Sequence, residues 1–246
     1  MQAGTTPRLH DPDVNGKERD NMKSVEKPID DKKRDSYLCV ISMLLLFVLV
    51  GSALGQTPTD SKPHVQTVVV IRHGEKPHGG LGQLSCQGLN RALALPKILT
   101  DKYGKPDFIF APNPLPTMKE GENRYSYVRP LATIEPTAIQ HALPVNATIG
   151  FNDVKALVKE VSSPQYADSV VFVSWEHIMA QHFAENMMAT FGGDIRQVPE
   201  WPGDDFDSIY VLRITRNADK ASITFTHDQE GLDRKLPKTC PSVPQS

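Results

Sequence analysis

The sequence lacks the features that mark several large functional classes. It has three cysteines in 246 residues and no CxxC or paired Cys/His spacing, which argues against a structural zinc site. Its formal net charge is -2 and its pI is ≈ 6.4, so it offers no basic face for nucleic acid. The glycine-rich stretch 78–82 lacks the Gly-Lys-Ser/Thr ending of a P-loop, and no HExxH is present. We therefore expect neither a nucleic-acid partner nor a metalloprotease.

What is present is the composition of an ordinary globular protein, with 39% hydrophobic and 23% charged residues. The first part of the chain differs from this average. Residues 1–36 are polar, carry many charges and show no apolar period, so they cannot bury enough surface to fold alone. They are predicted to form a disordered cytoplasmic tail.

Residues 37–55 form an uncharged run, YLCVISMLLLFVLVGSALG. At about 1.5 Å per residue, a helix of this length is about long enough to cross a bilayer. The basic residues 32–34 precede it and predict a cytoplasmic N-terminus, with the rest of the protein outside. Two interpretations stay open: a single-pass membrane anchor, or a signal sequence cleaved near Gly55 to give a secreted or periplasmic protein. A buried core helix is disfavoured, because the run has no polar face.

The remaining chain divides into a linker at 56–65 and one domain at 66–246. The domain contains Cys86 and Cys240, far apart in the sequence. An exported location would permit a disulfide between them. Since nothing in the sequence places their Cα atoms within bridging distance, we favour free thiols.

Strand and helix patterns alternate through this domain. Apolar, β-branched runs predict buried strands, and amphipathic stretches predict helices. The segment 112–127 is interpreted as a long polar loop. The pattern predicts a three-layer α/β sandwich, with a mostly parallel sheet, helices on both faces and a final edge hairpin. The predicted strands are 66–71, 107–111, 168–174, 208–214 and 221–226, and the predicted helices are 86–99, 130–141, 152–161 and 176–191, preceded by the hydrophobic helix at 37–55.

Polar residues follow two of the buried strands. Arg72, His73 and Gly74 come directly after the first, and Glu176 and His177 after the third. Ligands of such sheets collect at the carboxyl ends of strands. A neutral imidazole can attack phosphorus if its second nitrogen is held by a hydrogen bond, and a neighbouring guanidinium suits phosphate oxygens. The pattern therefore indicates a phosphoryl-transfer site.

Four ordered motifs resemble the histidine phosphatase superfamily, which includes the phosphoglycerate mutases. They are RHGE at 72–75 after a hydrophobic strand, LSCQGLNRA at 84–92, RPLAT at 129–133, and His177 after a late strand. The resemblance covers nearly everything from 67 to 226. It implies a phosphoglycerate mutase-like fold and phosphatase chemistry without a cofactor.

The same resemblance implies roles for individual residues. His73 would accept the phosphoryl group, and Arg72, Arg129 and His177 would hold its oxygens. No metal is required in that scheme, and the sequence shows no acidic cluster beside the site.

The proton donor is the point at which the sequence departs from the family pattern. The glutamate that many members carry on an insertion after the second helix is not evident. The acid phosphatase pair is missing too, since Ile178 follows His177. The candidates are Glu176, Glu75 and Asp153, of which we favour Glu176.

We therefore expect an exported or membrane-tethered phosphomonoester hydrolase that works through a phosphohistidine intermediate. Its substrate would be a phosphorylated small molecule or a phosphoprotein, selected by the loops 76–84 and 112–128. Two alternatives stay open: a phosphate-binding scaffold of the same fold without turnover, and a protein phosphohistidine phosphatase.

Overall fold

The computed structural model describes residues 62–218 and 220–242. They form an α/β domain with one main sheet and a separate small hairpin. The strands are β1 (His64–Arg72), β2 (Phe108–Phe110), β3 (Thr117–Glu120), β4 (Asn123–Ser126), β5 (Val145–Asn146), β6 (Val170–Trp175), β7 (Ser208–Asn217) and β8 (Lys220–Gln229), and the helices are α1 (Cys86–Tyr103), α2 (Arg129–His141), α3 (Val154–Val161) and α4 (His177–Thr190), with 3-10 turns at Pro164–Tyr166 and Ile195–Gln197.

The main sheet has the strand order β5-β2-β6-β1-β7-β8. The first four of these strands run parallel, while β7 and β8 pair antiparallel at one edge. The predicted mixed, mostly parallel sheet with an edge hairpin is confirmed. The central position of β1, between β6 and β7, places its carboxyl end beside that of β6.

Two apolar clusters cover the two faces of the sheet. Val68 and Val70 of β1 pack towards α3 and α4, while Val69 and Ile71 pack towards α1 and α2. Alternate residues of a strand point to opposite faces, so one buried run supplies both clusters. This confirms the predicted helix layers on both faces.

Local signals explain where the helices begin. The Ser85 side chain accepts a hydrogen bond from the Gly88 N–H and caps α1, while Asp153 and Glu176 cap α3 and α4 in the same way. Each cap lies at a loop that follows a strand. The helices therefore start close to the carboxyl edge of the sheet.

The prediction of a polar loop at 112–127 is wrong in one respect, because this segment contains the hairpin of β3 and β4. The two strands are joined by Gly121 and Glu122, with Gly121 at a φ of 61°. Each strand has only four residues and one large apolar or aromatic side chain, Met118 or Tyr125, so no apolar alternation marks them in the sequence.

The expectation of free thiols is also wrong, since Cys86 and Cys240 form a disulfide. The C-terminal segment returns along the start of α1, where the Asn90 amide donates to the carbonyl oxygens of Pro237 and Thr239. That return path brings together two cysteines separated by 154 positions.

The predicted tail 1–36, the hydrophobic run 37–55 and most of the linker lie outside the described residues. Within residues 62–218 and 220–242, none of the helices combines the length and the apolar character needed to span a bilayer.

Candidate active site

His73 lies directly after β1, where its N–H donates to the Trp175 carbonyl at the end of β6. The side chain is only 2% exposed. Its Nδ1 lies 2.8 Å from the Gly74 carbonyl oxygen, which can only accept, so Nδ1 carries the proton. The Nε2 lone pair is left for an incoming ligand.

The His73 imidazole is neutral at ordinary pH. Its pKa is lowered to about 3, mainly by burial and also by the charges of Arg129 and Arg72, which together outweigh the Gly74 hydrogen bond and the Glu176 charge. A neutral imidazole with a fixed tautomer is the form that acts as a nucleophile.

The loop after His73 is held between two helices. The Gly74 N–H donates to the Thr133 hydroxyl of α2 at 2.9 Å. On the other side, a Cβ on Gly74 would lie 2.8 Å from the Gly88 carbonyl oxygen, and a Cβ on Gly88 would lie 2.3 Å from the Glu75 carbonyl oxygen. Glycine at both positions permits this close approach of α1 to the loop.

Arg72 is buried beside His73 and is fixed by a segment that the sequence did not single out. Its Nη1 donates to the Asp205 carbonyl oxygen at 2.7 Å, and the Phe206 ring centroid lies 3.9 Å from its guanidinium carbon. Its Nε has no partner among the described residues. Asp205 lies 133 positions after Arg72, just before β7, so only folding of the chain brings this segment to the site.

Arg129 opens α2 and is 2% exposed. Its Nη2 donates to Glu120 Oε1 at 2.6 Å, while Glu120 Oε2 accepts from the Gly82 N–H at 2.7 Å. The Arg129 Nε is buried and has no partner within the described part of the chain. The β3–β4 hairpin thus places the Glu120 carboxylate against the guanidinium of Arg129, which the sequence predicts to bind phosphate oxygens.

The Glu120 carboxyl is ionised in the free protein. Burial by itself would raise its pKa, but the hydrogen bonds from Arg129 and Gly82 and the charge of Lys76 hold the pKa below its usual value. Glu120 was not predictable from the sequence, because its contact with Arg129 depends on the hairpin.

Glu176 and His177 lie at the start of α4. Glu176 Oε2 accepts from the Met179 N–H at 3.1 Å, and Oε1 contacts His177 Nδ1. Burial would raise the pKa of Glu176, yet His177, the Met179 N–H and His73 lower it below its usual value. Glu176 therefore lines the same cavity as His73, where its carboxylate caps α4.

The other two predicted proton donors have different partners. Glu75 forms a two-point ion pair with Arg91, at 2.8 and 3.1 Å. Asp153 caps α3 by accepting from the Ala156 N–H at 3.1 Å. Neither lines the cavity above His73.

The cavity above His73 has a volume of about 760 Å³. It brings together His73, Arg72, Arg129 and His177, as the sequence predicts. Its walls come from the RHGE loop, the β3–β4 hairpin, the β5–α3 loop and the start of α4. Besides these four residues it is lined by Lys76, Pro77, His78, Gly79, Gly80, Met118, Lys119, Glu120, Gly121, Tyr127, Phe151, Asn152, Glu176, Ile178 and Met179.

The charges at the cavity floor suit a tetrahedral anion. Arg72 and Arg129 supply guanidinium groups beside a neutral imidazole, and His177 adds a ring at the rim. In the part of the chain that the structure describes, no three His, Cys, Asp or Glu side chains cluster as metal ligands. The arrangement can bind a phosphoryl group and present Nε2 to its phosphorus.

Neither a protein-family model nor a curated protein matches the chain. Among solved structures, the chain is similar to SixA from Nakamurella multipartitia, assigned as a phosphohistidine phosphatase. The identity is 17%, the TM-score 0.47, and the alignment covers 68% of this chain and 98% of that one.

Two further similar structures are phosphatases. A mycobacterial glucosyl-3-phosphoglycerate phosphatase has 15% identity and a TM-score of 0.43, over 67% of this chain and 97% of that one. A phosphoserine phosphatase from Entamoeba histolytica has 10% identity and a TM-score of 0.40, over 68% and 98%. Similarity at these values assigns no activity to this chain. The structures to which this chain is similar are members of the histidine phosphatase superfamily, which the four motifs of its sequence also resemble.

Proposed function

We propose that this protein is a phosphomonoester hydrolase that transfers the phosphoryl group to His73 and then to water. The observation that carries the proposal is the state of His73: buried, neutral, with Nδ1 bound to the Gly74 carbonyl and with two guanidinium groups beside it. A histidine held in this way is poised for nucleophilic attack rather than for acid catalysis.

In the first step, the His73 Nε2 lone pair forms the N–P bond as the bond from phosphorus to the ester oxygen breaks. Arg72, Arg129 and His177 hold the phosphoryl oxygens as their charge redistributes. The departing ester oxygen takes a proton. In the second step, water attacks phosphorus and gives its proton to the group that protonated the ester oxygen, the N–P bond breaks, and inorganic phosphate leaves His73 in its neutral form.

We infer that Glu120 supplies the proton to the departing ester oxygen. An incoming phosphoryl group takes the Arg129 Nη2 that Glu120 occupies in the free protein. Losing that partner next to an anion raises the pKa of Glu120, so the carboxyl takes up a proton. Glu176, the donor favoured from the sequence, keeps its Met179 N–H partner and suits this role less well.

The substrate we propose is a phosphorylated small molecule or a phosphorylated side chain of a protein. The cavity of about 760 Å³ is far larger than a phosphate and accepts part of the leaving group. The loops predicted to select substrate, 76–84 and 112–128, both contribute to its walls.

We further propose that the domain works outside the cytoplasm, exported or tethered through residues 37–55. The Cys86–Cys240 disulfide supports this, because disulfides persist mainly in oxidising compartments. The proposed chemistry needs no metal.

Turnover of p-nitrophenyl phosphate by the purified full chain tests the proposed function. We expect hydrolysis that a chelator leaves unchanged, and a loss on the order of 10³-fold or more in His73→Ala, because the nucleophile is gone. His182→Ala, an exposed histidine on α4, is the matched control and should keep its activity. Equal activity of His73→Ala and the native protein would rule out the mechanism.

A further inference from the structure

Tyr127 is a buried residue of the site that neither the motifs nor the mechanism above uses. It lies between β4 and α2, two positions before Arg129. Its side chain is 0% exposed, yet it lines the cavity above His73. Within the described residues, its hydroxyl has no hydrogen-bond partner.

The Tyr127 ring is held in place by its neighbours. It meets the His73 ring edge-on, with centroids 5.9 Å apart, and packs against Phe151 at 5.3 Å. The guanidinium carbon of Arg129 lies 4.7 Å from its ring centroid. The phenol ring is therefore fixed in position, while its hydroxyl is left without a hydrogen-bond partner among the described residues.

A buried hydroxyl without a partner lowers stability, and phenylalanine would fill the same space without that cost. The unsatisfied group therefore points to a ligand that supplies the partner. Two more buried donors at this site are unpaired in the same way: the Nε atoms of Arg72 and Arg129. Three unpaired donors around one imidazole match a phosphoryl group, which offers several acceptor oxygens.

The Tyr127 hydroxyl keeps its proton at neutral pH. Burial raises its pKa above the ordinary value, and the Glu176 charge raises it further, while the Arg129 and Arg72 charges act in the opposite direction. A protonated phenol donates, and a phosphoryl oxygen accepts.

We propose that the Tyr127 hydroxyl is a phosphate-binding group that donates a hydrogen bond to a phosphoryl oxygen of the substrate and of phosphorylated His73. The proposal rests on the proposed function, because it concerns the same phosphoryl site. It adds a donor from the segment between the hairpin and α2 to those of the two arginines and His177.

Tyr127→Phe in the full chain is the test, because it removes one oxygen atom and keeps the ring. Tyr210→Phe is the matched control: Tyr210 is also buried, but its hydroxyl donates to the Pro199 carbonyl at 2.9 Å and lies outside the cavity. For each protein we would measure competitive inhibition by orthovanadate, kcat/KM on p-nitrophenyl phosphate, and the melting temperature without ligand.

For Tyr127→Phe we expect about a 5- to 50-fold weaker inhibition by vanadate and a similar loss of kcat/KM, with an unchanged or higher melting temperature. For Tyr210→Phe we expect the reverse: a lower melting temperature and unchanged inhibition. Vanadate inhibition of Tyr127→Phe within twofold of the native value would overturn the proposal. So would a lower melting temperature, since it would show that the hydroxyl has a structural partner.

The two proposals fail in distinguishable ways. If the native protein neither turns over substrate nor binds vanadate, the proposed function and the role of Tyr127 are both overturned. If the native protein does both and Tyr127→Phe is unchanged, only the role of Tyr127 is overturned.

Discussion

His73 differs from a surface histidine in its protonation, and this difference has a measurable consequence. With a pKa of about 3, its imidazole stays neutral through the mildly acidic range. We expect the pH profile of kcat/KM for p-nitrophenyl phosphate, corrected for ionisation of the substrate, to lack an acid limb. An ordinary histidine would produce such a limb with an apparent pKa near 6.5. A pH profile from about pH 4.5 to about pH 8 measures this. An acid limb centred near 6.5 would show that His73 titrates as an ordinary histidine.

Glu120 and the phosphoryl group compete for Arg129, so removing the Glu120 charge should favour the ligand. We expect Glu120→Gln to bind inorganic phosphate about tenfold more tightly. Its kcat should fall more on alkyl phosphates than on p-nitrophenyl phosphate, whose leaving group needs no proton. Glu122→Gln, an exposed residue of the same hairpin, should change neither quantity. Identical phosphate affinities for the two variants would contradict the competition.

At the residue scale, prediction from the sequence located the residues of local motifs at one cavity. The structure brings His73, Arg72, Arg129 and His177 to one cavity, because each lies at the end of a strand or the start of a helix. It failed for groups such as Glu120, whose contact with Gly82 spans 38 positions and depends on the path of a polar hairpin.

At the scale of secondary structure, the four helices and five of the six strands of the main sheet were predictable from apolar period and capping residues. The two-residue strand β5 was not predicted, because it is too short to show a pattern. Ser85 before an amphipathic run marks the start of α1, and the structure shows the cap. The β3–β4 hairpin was missed, because its short strands carry too few apolar residues to show an alternating pattern. It nevertheless forms one wall of the cavity.

The contact between α1 and the loop after His73 gives a prediction for Gly88. Helix propensity alone would make Gly88→Ala more stable by about 1 kcal/mol. Because the added Cβ would lie 2.3 Å from the Glu75 carbonyl oxygen, we expect the opposite. The loss should be about 1–3 kcal/mol in free energy of unfolding, with about a tenfold lower kcat from displacement of His73.

Urea unfolding and steady-state kinetics of Gly88→Ala measure the two effects. Gly150→Ala is the control, because the nearest atom to its Cβ would be a side-chain oxygen 3.6 Å away. A Gly88→Ala protein that is stabilised and fully active would show that the close approach does not position the loop.

For the whole molecule, the C-terminal segment closes the fold in a way that the sequence did not reveal. Two cysteines 154 positions apart carry no signal of pairing until the chain's return path is known. The disulfide ties that segment to the first turn of α1, which lies next to the loop after His73. The pairing also supports the proposal that the domain works in an oxidising compartment.

We expect Cys240→Ser to lower the free energy of unfolding by about 2–5 kcal/mol, because it releases a very long closed loop in the unfolded chain. Denaturant unfolding measures the change, and added reductant should lower the native protein to the same level. Cys39→Ser should have no effect on the unfolding of this domain. Equal stability of Cys240→Ser and the native protein would show that the disulfide contributes nothing to the fold.

The most direct test of phosphoryl transfer to His73 is the chemical identity of the intermediate. The full chain would be quenched at alkaline pH during turnover of a phosphomonoester, digested and analysed by mass spectrometry. We expect one phosphoryl group on the peptide that contains His73, an adduct labile to acid, and none in His73→Ala. A phosphoryl group on another residue, or turnover without any adduct on His73, would contradict this mechanism.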